Sequence, residues 1–259
     1  MKSILIAFAM YSKIPMPRVE WDKRSLSWAL CAFPLVGVVI GAVLYGWLRL
    51  ADLLGLTALK AALALALPIA LSGGIHLDGF CDTCDALSSH QSRERKLEIL
   101  KDSHTGAFAI ICCGLYLLVF FAAWLDVDTA GVNALVLALG LPLSRSLSGL
   151  AAVSWKNARG SGLLATFTEP VNGRRARWLL RIVSALLILA VGGIAAETGL
   201  LYLLAAPLAA VLVFIYYRIL AFRQFGGITG DTAGFFLQLC ECAMVVALVL
   251  GQRLWEVLI

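Results

Sequence analysis

Apolar residues in this chain run in long blocks rather than alternating with polar ones, and short polar or charged stretches separate the blocks. A hydrocarbon core of about 30 Å is crossed by about 20 residues of α-helix, so blocks of that length predict membrane spans. Seven are expected, at about 27–49, 57–73, 106–125, 132–153, 178–196, 199–221 and 233–251. The predicted class is all-α: a polytopic helical bundle forming a single integral membrane domain over residues 1–259. Between the second and third blocks the pattern changes to a polar, acidic segment at about 74–105. There RERKLEILKD carries Leu97 and Leu100 at helical spacing behind Ser92, a residue type suited to an N-cap. Two short helices joined near Ser88 to Gln91 are therefore expected.

Composition agrees with a membrane class: 61% of residues are hydrophobic and 14% charged, against about 25% charged in soluble domains. The seven cysteines, odd in number and mostly in or near apolar blocks, read as reduced thiols rather than a disulfide framework. No cleavable signal peptide is expected, because the apolar run in MKSILIAFAMYSKIPMPR is short and meets two prolines. A cytoplasmic N-terminus puts Lys2, Lys13, Arg18, Lys23, Arg24, Arg93, Arg95, Lys96 and Lys101 inside. It does the same for the basic residues at 156–181 and for Arg218 and Arg223, leaving Arg49, Lys60 and Arg253 outside. That asymmetry predicts the orientation, with every long polar loop facing the cytoplasm.

The stretch Ser72–Thr105 holds all three histidines and six acidic residues. Asp78, Asp82 and Asp85 stand at i, i+4 and i+7, on one face of a helix, where like charges repel and a divalent cation would neutralise them. Cys81 and Cys84 form a CxxC near His76 and His90, but a single CxxC with irregular histidines is a weak zinc signal. Those cysteines also lie about 100° off the aspartate face, so they are expected to pack as small apolar side chains. The phrase GGIHLD at Gly73–Asp78 recurs as GGITGD at Gly226–Asp231, four of six positions being identical. Paired glycines such as Gly226 and Gly227 let backbone approach a ligand closely, and Asp231 is expected to converge with Asp78. Glu241 lies about 15 Å deeper in the last block and needs a partner or cation there; Arg145, inside the fourth block, is the nearest candidate by type. Arg145 could instead face a polar cavity or snorkel to the interface. Lys13 and Arg18 read either as a headgroup belt or as phosphate contacts, and the glycine-, serine- and arginine-rich loop around Arg159 reads the same two ways.

Aligned aspartates holding Mg²⁺ beside basic residues at a membrane face are the parts needed to bind a pyrophosphate. They point to a membrane-embedded phosphotransferase acting on an activated diphosphate. The alternative is an ion-coupled secondary transporter with a broken-helix cation site, whose charges should lie at mid-span. The strings YSKIPMP, GGIHLDGFCDTCDAL, KDSHTGAFA, LSRS, ARGSGL and GGITGDTAG occur in an order that resembles the cobalamin synthase family, the adenosylcobinamide-GDP ribazoletransferases. The resemblance covers nearly the whole chain. It implies a multi-span enzyme of the bacterial inner membrane with its site facing the cytoplasm. Such enzymes join adenosylcobinamide-GDP to α-ribazole or its 5′-phosphate with Mg²⁺, release GMP and form adenosylcobalamin or its 5′-phosphate. Family members often have alanines at the places of Cys81 and Cys84 and a carboxylate at that of Gln238.

Joined, the two lines nominate Asp78, Asp82, Asp85, Asp231 and Glu241 around Mg²⁺, with Asp82 and Asp85 catalytic; which carboxylate is the base stays open, Asp85 at one end of the row being the nominee. Lys13, His76, Arg145, Arg159, Gly226 and Gly227 are the expected substrate contacts, with Asp102 and Ser103 supporting the site. Membrane lipid is an expected partner and nucleic acid is not; homo-oligomerisation stays open.

Overall fold

The computed structural model describes residues 2–102, 104–159 and 173–258. Its helices are α1 (Lys2–Tyr11), α2 (Lys23–Leu53), α3 (Ala58–Leu71), α4 (Ile75–Ser88), α5 (Arg93–Ile99), α6 (Ala107–Asp126), α7 (Asn133–Ser154), α8 (Gly173–Thr198), α9 (Ala205–Phe225) and α10 (Gly230–Leu258). A 3₁₀ turn, Leu201–Leu204, precedes α9. Among the described residues the only β-type pairing is an isolated parallel bridge between Asn157 and Ile228.

Among the described residues six helices are long and apolar enough to cross a membrane, and they match six of the seven expected blocks. The block at 57–73 differs. Its helix α3 has 14 residues, and α4 follows at 92° to it, so the two pass the length test only as a bent pair. Gly73 and Gly74 sit at φ +70° and +76°, left-handed conformations that end α3 and let the chain turn. The expected pair of short helices is present as α4 and α5, and the Ser92 hydroxyl accepts from the Arg95 amide as an N-cap. The helix α1 was not anticipated: Ile6 and Ala7 are fully buried, and the helix lies against α2.

At the centre stands α7, with 83% of its apolar window buried against 22% for α8. Apolar side chains gain little by leaving lipid, so spans associate through close packing at small residues. Here Gly37 and Gly41 of α2 provide it. A Cβ at Gly37 would lie 2.6 Å from Pro142 Cα, and one at Gly41 would lie 2.5 Å from the Ala138 carbonyl oxygen. Outward-facing leucines and isoleucines of α6 and α8 remain exposed, as a lipid-facing wall requires.

The two ends of the bundle differ in kind. At one end Lys60 Nζ lies 2.9 Å from both Asp52 Oδ1 and Thr129 Oγ1, tying α2, α3 and the turn before α7. At the other, the Lys13 amide donates to the Leu71 carbonyl (2.8 Å), Arg93 Nε to the Arg223 carbonyl (3.1 Å) and Lys96 Nζ to Gln224 Oε1 (2.6 Å). These bonds gather the N-terminal segment, the α3–α4 break, α5 and the end of α9 at one pole. The candidate site is there.

Candidate active site

The site is made by the crossing of α4 over the start of α10, and two glycines set the distance. A Cβ at Gly79 would stand 2.8 Å from the Asp231 carbonyl oxygen, and one at Gly234 would stand 2.8 Å from that of His76. Backbones this close bring the face bearing Asp78 and Asp82 up to Asp231. The negative charges of Asp78, Asp231 and Asp85 all bear on half-buried Asp82, with the Arg159 guanidinium opposing them. Arg159 Nη2 lies 3.1 Å from Asp231 Oδ2.

Arg159 is delivered by the segment that leaves α7. The Ala158 amide donates to the Ile228 carbonyl and the Ile228 amide to that of Lys156, each at 2.9 Å, which pins this segment to the loop before α10. Gly227 permits the pairing, since a Cβ there would be 2.4 Å from the Lys156 carbonyl oxygen. Gly226, at φ +76°, closes α9. These two glycines were expected to touch substrate; the structure places them in the turn and the strand-like pairing, and Gly230 and Gly234 are the glycines on the cavity wall.

Beneath the carboxylates opens a cavity of about 930 Å³ including its mouth. Tyr11, Leu30, Phe33 and Leu237 give it an apolar side; Asp78, Arg159 and Asp231 line its charged side. Three buried nitrogens on its wall, His76 Nε2, Asn157 Nδ2 and Arg159 Nε, have no hydrogen-bond partner among the described residues. Each buried polar atom left unpaired costs about 1–3 kcal/mol. A ligand rich in oxygen atoms would satisfy all three. Asn157 and Tyr11 escaped the sequence reading, because an isolated loop asparagine or tyrosine belongs to no periodic pattern.

Several nominated residues are engaged elsewhere. Asp85 accepts from the Gly106 amide (2.6 Å) and the Ala109 amide (2.8 Å), capping the N-terminus of α6 with a negative charge where the helix dipole favours one. Each of its oxygens thus accepts a backbone amide, which gives Asp85 a capping role. Arg145 and Glu241 form a buried ion pair between α7 and α10. Ser144 Oγ donates to Glu241 Oε1 (3.0 Å), and Arg145 Nη1 also reaches the Leu141 carbonyl (3.2 Å). Neither residue of that pair lines the cavity, so the metal role expected for Glu241 and the phosphate role expected for Arg145 give way to mutual neutralisation. Lys13 lays its aliphatic stem over Gly73 at the same pole, off the cavity wall. Exposed Asp102 accepts from the amide (3.0 Å) and Nδ1 (2.7 Å) of His104. Those two bonds hold its carboxyl below the usual carboxylate range and keep it in its own turn, away from the cavity. Ser103 lies outside the described residues. Gln238 accepts from the Tyr116 hydroxyl (2.6 Å). Cys81 and Cys84 face Cys113 and Cys112 of α6.

Among the described residues no three His, Cys, Asp or Glu side chains close into a finished metal cage. The carboxylates of Asp78, Asp82 and Asp231 are hard oxygen donors around an open cleft. That fits Mg²⁺, which keeps several waters and takes one or two carboxylates together with substrate phosphates. The two charges deepest in the spans cancel each other, so the described residues offer no open mid-membrane cation site of the kind a transporter needs.

Fold and site together define a multi-pass α-helical membrane protein with a carboxylate and arginine cleft at one pole of its bundle. The chain belongs to the cobalamin-5-phosphate synthase family, whose family model matches residues 3–249. It is 45% identical over 253 residues to a Lachnoclostridium phytofermentans protein named adenosylcobinamide-GDP ribazoletransferase, covering 97% of this chain and 95% of that one. Proteins of the same name from Clostridium perfringens and Pseudomonas aeruginosa are 36% and 37% identical. They cover 95% and 96% of this chain and 97% and 98% of their own. No solved structure matches the chain.

Proposed function

We propose that this chain is an adenosylcobinamide-GDP ribazoletransferase that requires Mg²⁺ and works at the cytoplasmic face of the bacterial inner membrane. The observation that carries the reading is the convergence of Asp78, Asp231 and Arg159 on a cavity whose buried nitrogens lack partners among the described residues, with Asp82 one turn along α4 from Asp78 and within the field of the same charges. Asp78, Asp82 and Asp231 would hold Mg²⁺, which when bound neutralises pyrophosphate oxygens. Arg159, Asn157 and His76 bind phosphate and ribose oxygens of the GDP-activated corrinoid. The apolar side, with Tyr11 and Phe33, takes the flat base of α-ribazole or its 5′-phosphate and excludes water from the reacting atoms. Asp82 receives the proton of the ribose 3′-hydroxyl. Its oxygen bonds to the corrinoid-side phosphorus as the bond from that phosphorus to the bridging oxygen breaks, and GMP leaves with the bridging oxygen.

The orientation rests on charge. The site pole carries Lys13, Arg93, Lys96, Arg159 and Arg223, whereas the opposite pole carries Arg49, Lys60 and Arg253; an excess of Lys and Arg marks the cytoplasmic side. The test uses the full chain in membranes with adenosylcobinamide-GDP and α-ribazole, with and without Mg²⁺. GMP release should match cobamide formed, vanish on chelation, and fall by about 10²-fold or more in Asp82→Ala. Undiminished GMP release in that variant would remove Asp82 from the chemistry. Ion accumulation by vesicles without cobamide formation would restore the transporter reading.

A further inference from the structure

A second groove opens on the lipid-facing side of the bundle, between the end of α7, the first turns of α8 and the last turns of α9. The three helix ends share the site pole, since the Asn157–Ile228 bridge joins the exits of α7 and α9, and Ser146 Oγ donates to the Leu180 carbonyl of α8 (3.1 Å). Arg181 lies about 12 Å along α8 from Gly173, and Arg218 about 10 Å before the end of α9 at Phe225, at about 1.5 Å per residue. Both arginines therefore fall inside apolar spans, where a lone cation is expensive. Among the described residues neither forms an ion pair with a carboxylate. Each lies over an aromatic ring instead: the Arg218 guanidinium carbon is 5.6 Å from the ring centroids of both Trp155 and Phe222, and that of Arg181 is 5.6 Å from the Trp178 centroid. Ser154 Oγ, in the same groove, is buried and has no hydrogen-bond partner among the described residues. The rest of the groove wall is apolar, and Ile215 and Ile219 are 51% and 46% exposed toward lipid.

Two guanidiniums and a hydroxyl without ionic or hydrogen-bond partners among the described residues, beside an acyl-compatible wall, match one ligand class in charge and shape. We propose that this groove is a specific binding site for an anionic phospholipid. Its phosphate sits between Arg181 and Arg218 and accepts from Ser154, and its chains run down the faces of α8 and α9. A free phosphate would satisfy the cations but leave the apolar wall uncovered; a zwitterionic lipid would cover the wall but bring its own cation to two others. The groove shares no residue with the catalytic cavity. It is coupled to that cavity through the chain, because Trp155 immediately precedes the Lys156–Arg159 segment that presents Arg159. A seated headgroup therefore braces that segment from behind.

The test is native mass spectrometry of the full chain, extracted from membranes and exposed to an equimolar mixture of phosphatidylglycerol and phosphatidylcholine. The wild type should retain one phosphatidylglycerol in preference to phosphatidylcholine by about tenfold or more. The preference should fall to about twofold or less in the double variant R181Q/R218Q and persist in R253Q, at the opposite pole. Folding is checked by melting in both lipids: phosphatidylglycerol should raise the Tm of the wild type and not of R181Q/R218Q. If the double variant does not fold, the single variants R181Q and R218Q are read in the same way, each with a partial loss. Equal retention of the two lipids, an undiminished preference in folded variants, or displacement of the lipid by millimolar inorganic phosphate would each overturn the proposal.

Discussion

The crossing of α4 and α10 makes Gly79→Ala the most informative substitution. The new methyl would lie 2.8 Å from the Asp231 carbonyl oxygen and 2.9 Å from Asp231 Cα, about 0.6 Å inside the 3.4 Å at which ordinary van der Waals contact begins. Both atoms are backbone, so no side chain can swing aside and the helices must separate. Overpacking of this kind costs about 1–3 kcal/mol, while alanine in a helix recovers about 0.5–1 kcal/mol relative to glycine. The net change in stability is then about 0–2.5 kcal/mol, too small to unfold the bundle. Geometry suffers more, because the same contact sets the distance from Asp78 and Asp82 to Asp231, and a misplacement near 1 Å can cost about 10²-fold in rate. GMP release by purified Gly79→Ala should therefore fall about ten- to hundredfold with a Tm within a few degrees of wild type. Gly192→Ala, where nothing lies within 4 Å of the added methyl, serves as the control and should be neutral or slightly stabilising. Activity of Gly79→Ala within about twofold of wild type would refute the claim that this contact spaces the carboxylates.

Removing one half of the buried Arg145–Glu241 pair should cost about 3–5 kcal/mol. Arg145→Ala should thus lower the yield of folded protein and its melting temperature in detergent; a variant with wild-type stability and a purely catalytic defect would return Arg145 to the list of phosphate contacts. Arg159→Ala should lose about 10- to 10²-fold in kcat/KM, the scale of a charged hydrogen bond, with partial recovery in Arg159→Lys; equal kinetics in Arg159→Ala and wild type would remove it from the site. Asp85→Ala should destabilise by about 0.5–2 kcal/mol and speed hydrogen exchange at the Gly106 and Ala109 amides, with only a modest effect on rate. A loss of about 10²–10⁴-fold with those amides still protected would instead identify Asp85 as the base.

The sequence reading succeeded wherever one periodicity sufficed. Block hydrophobicity located the spans, helical spacing located α4 and α5, and the i, i+4 relation put Asp78 and Asp82 on one face. It also matched Glu241 to Arg145 by charge and depth alone. A short-range signal went unused: Gly37 and Gly41 are spaced as a small-xxx-small pair, the pattern on which α2 packs against α7. Asp85 shows where periodicity stops being enough. It shares the aspartate face, yet the amides at the start of α6 come within 2.6–2.8 Å and claim its oxygens. Gly226 and Gly227 were read as ligand-facing because glycine permits close approach; what approaches Gly227 is the Lys156 carbonyl, a residue some 70 positions away along the chain.

The sequence by itself determined the class of the protein, six of its spans and the acidic face, because hydrophobic length and helical period are properties of short segments. Only the tertiary structure decided which charges form the site. A carboxylate becomes a cap, a buried ion-pair partner or part of a cleft according to what the packed helices place within about 3 Å of it. That distance is set by contacts such as Gly79 with Asp231 and Gly234 with His76, between residues far apart in the chain.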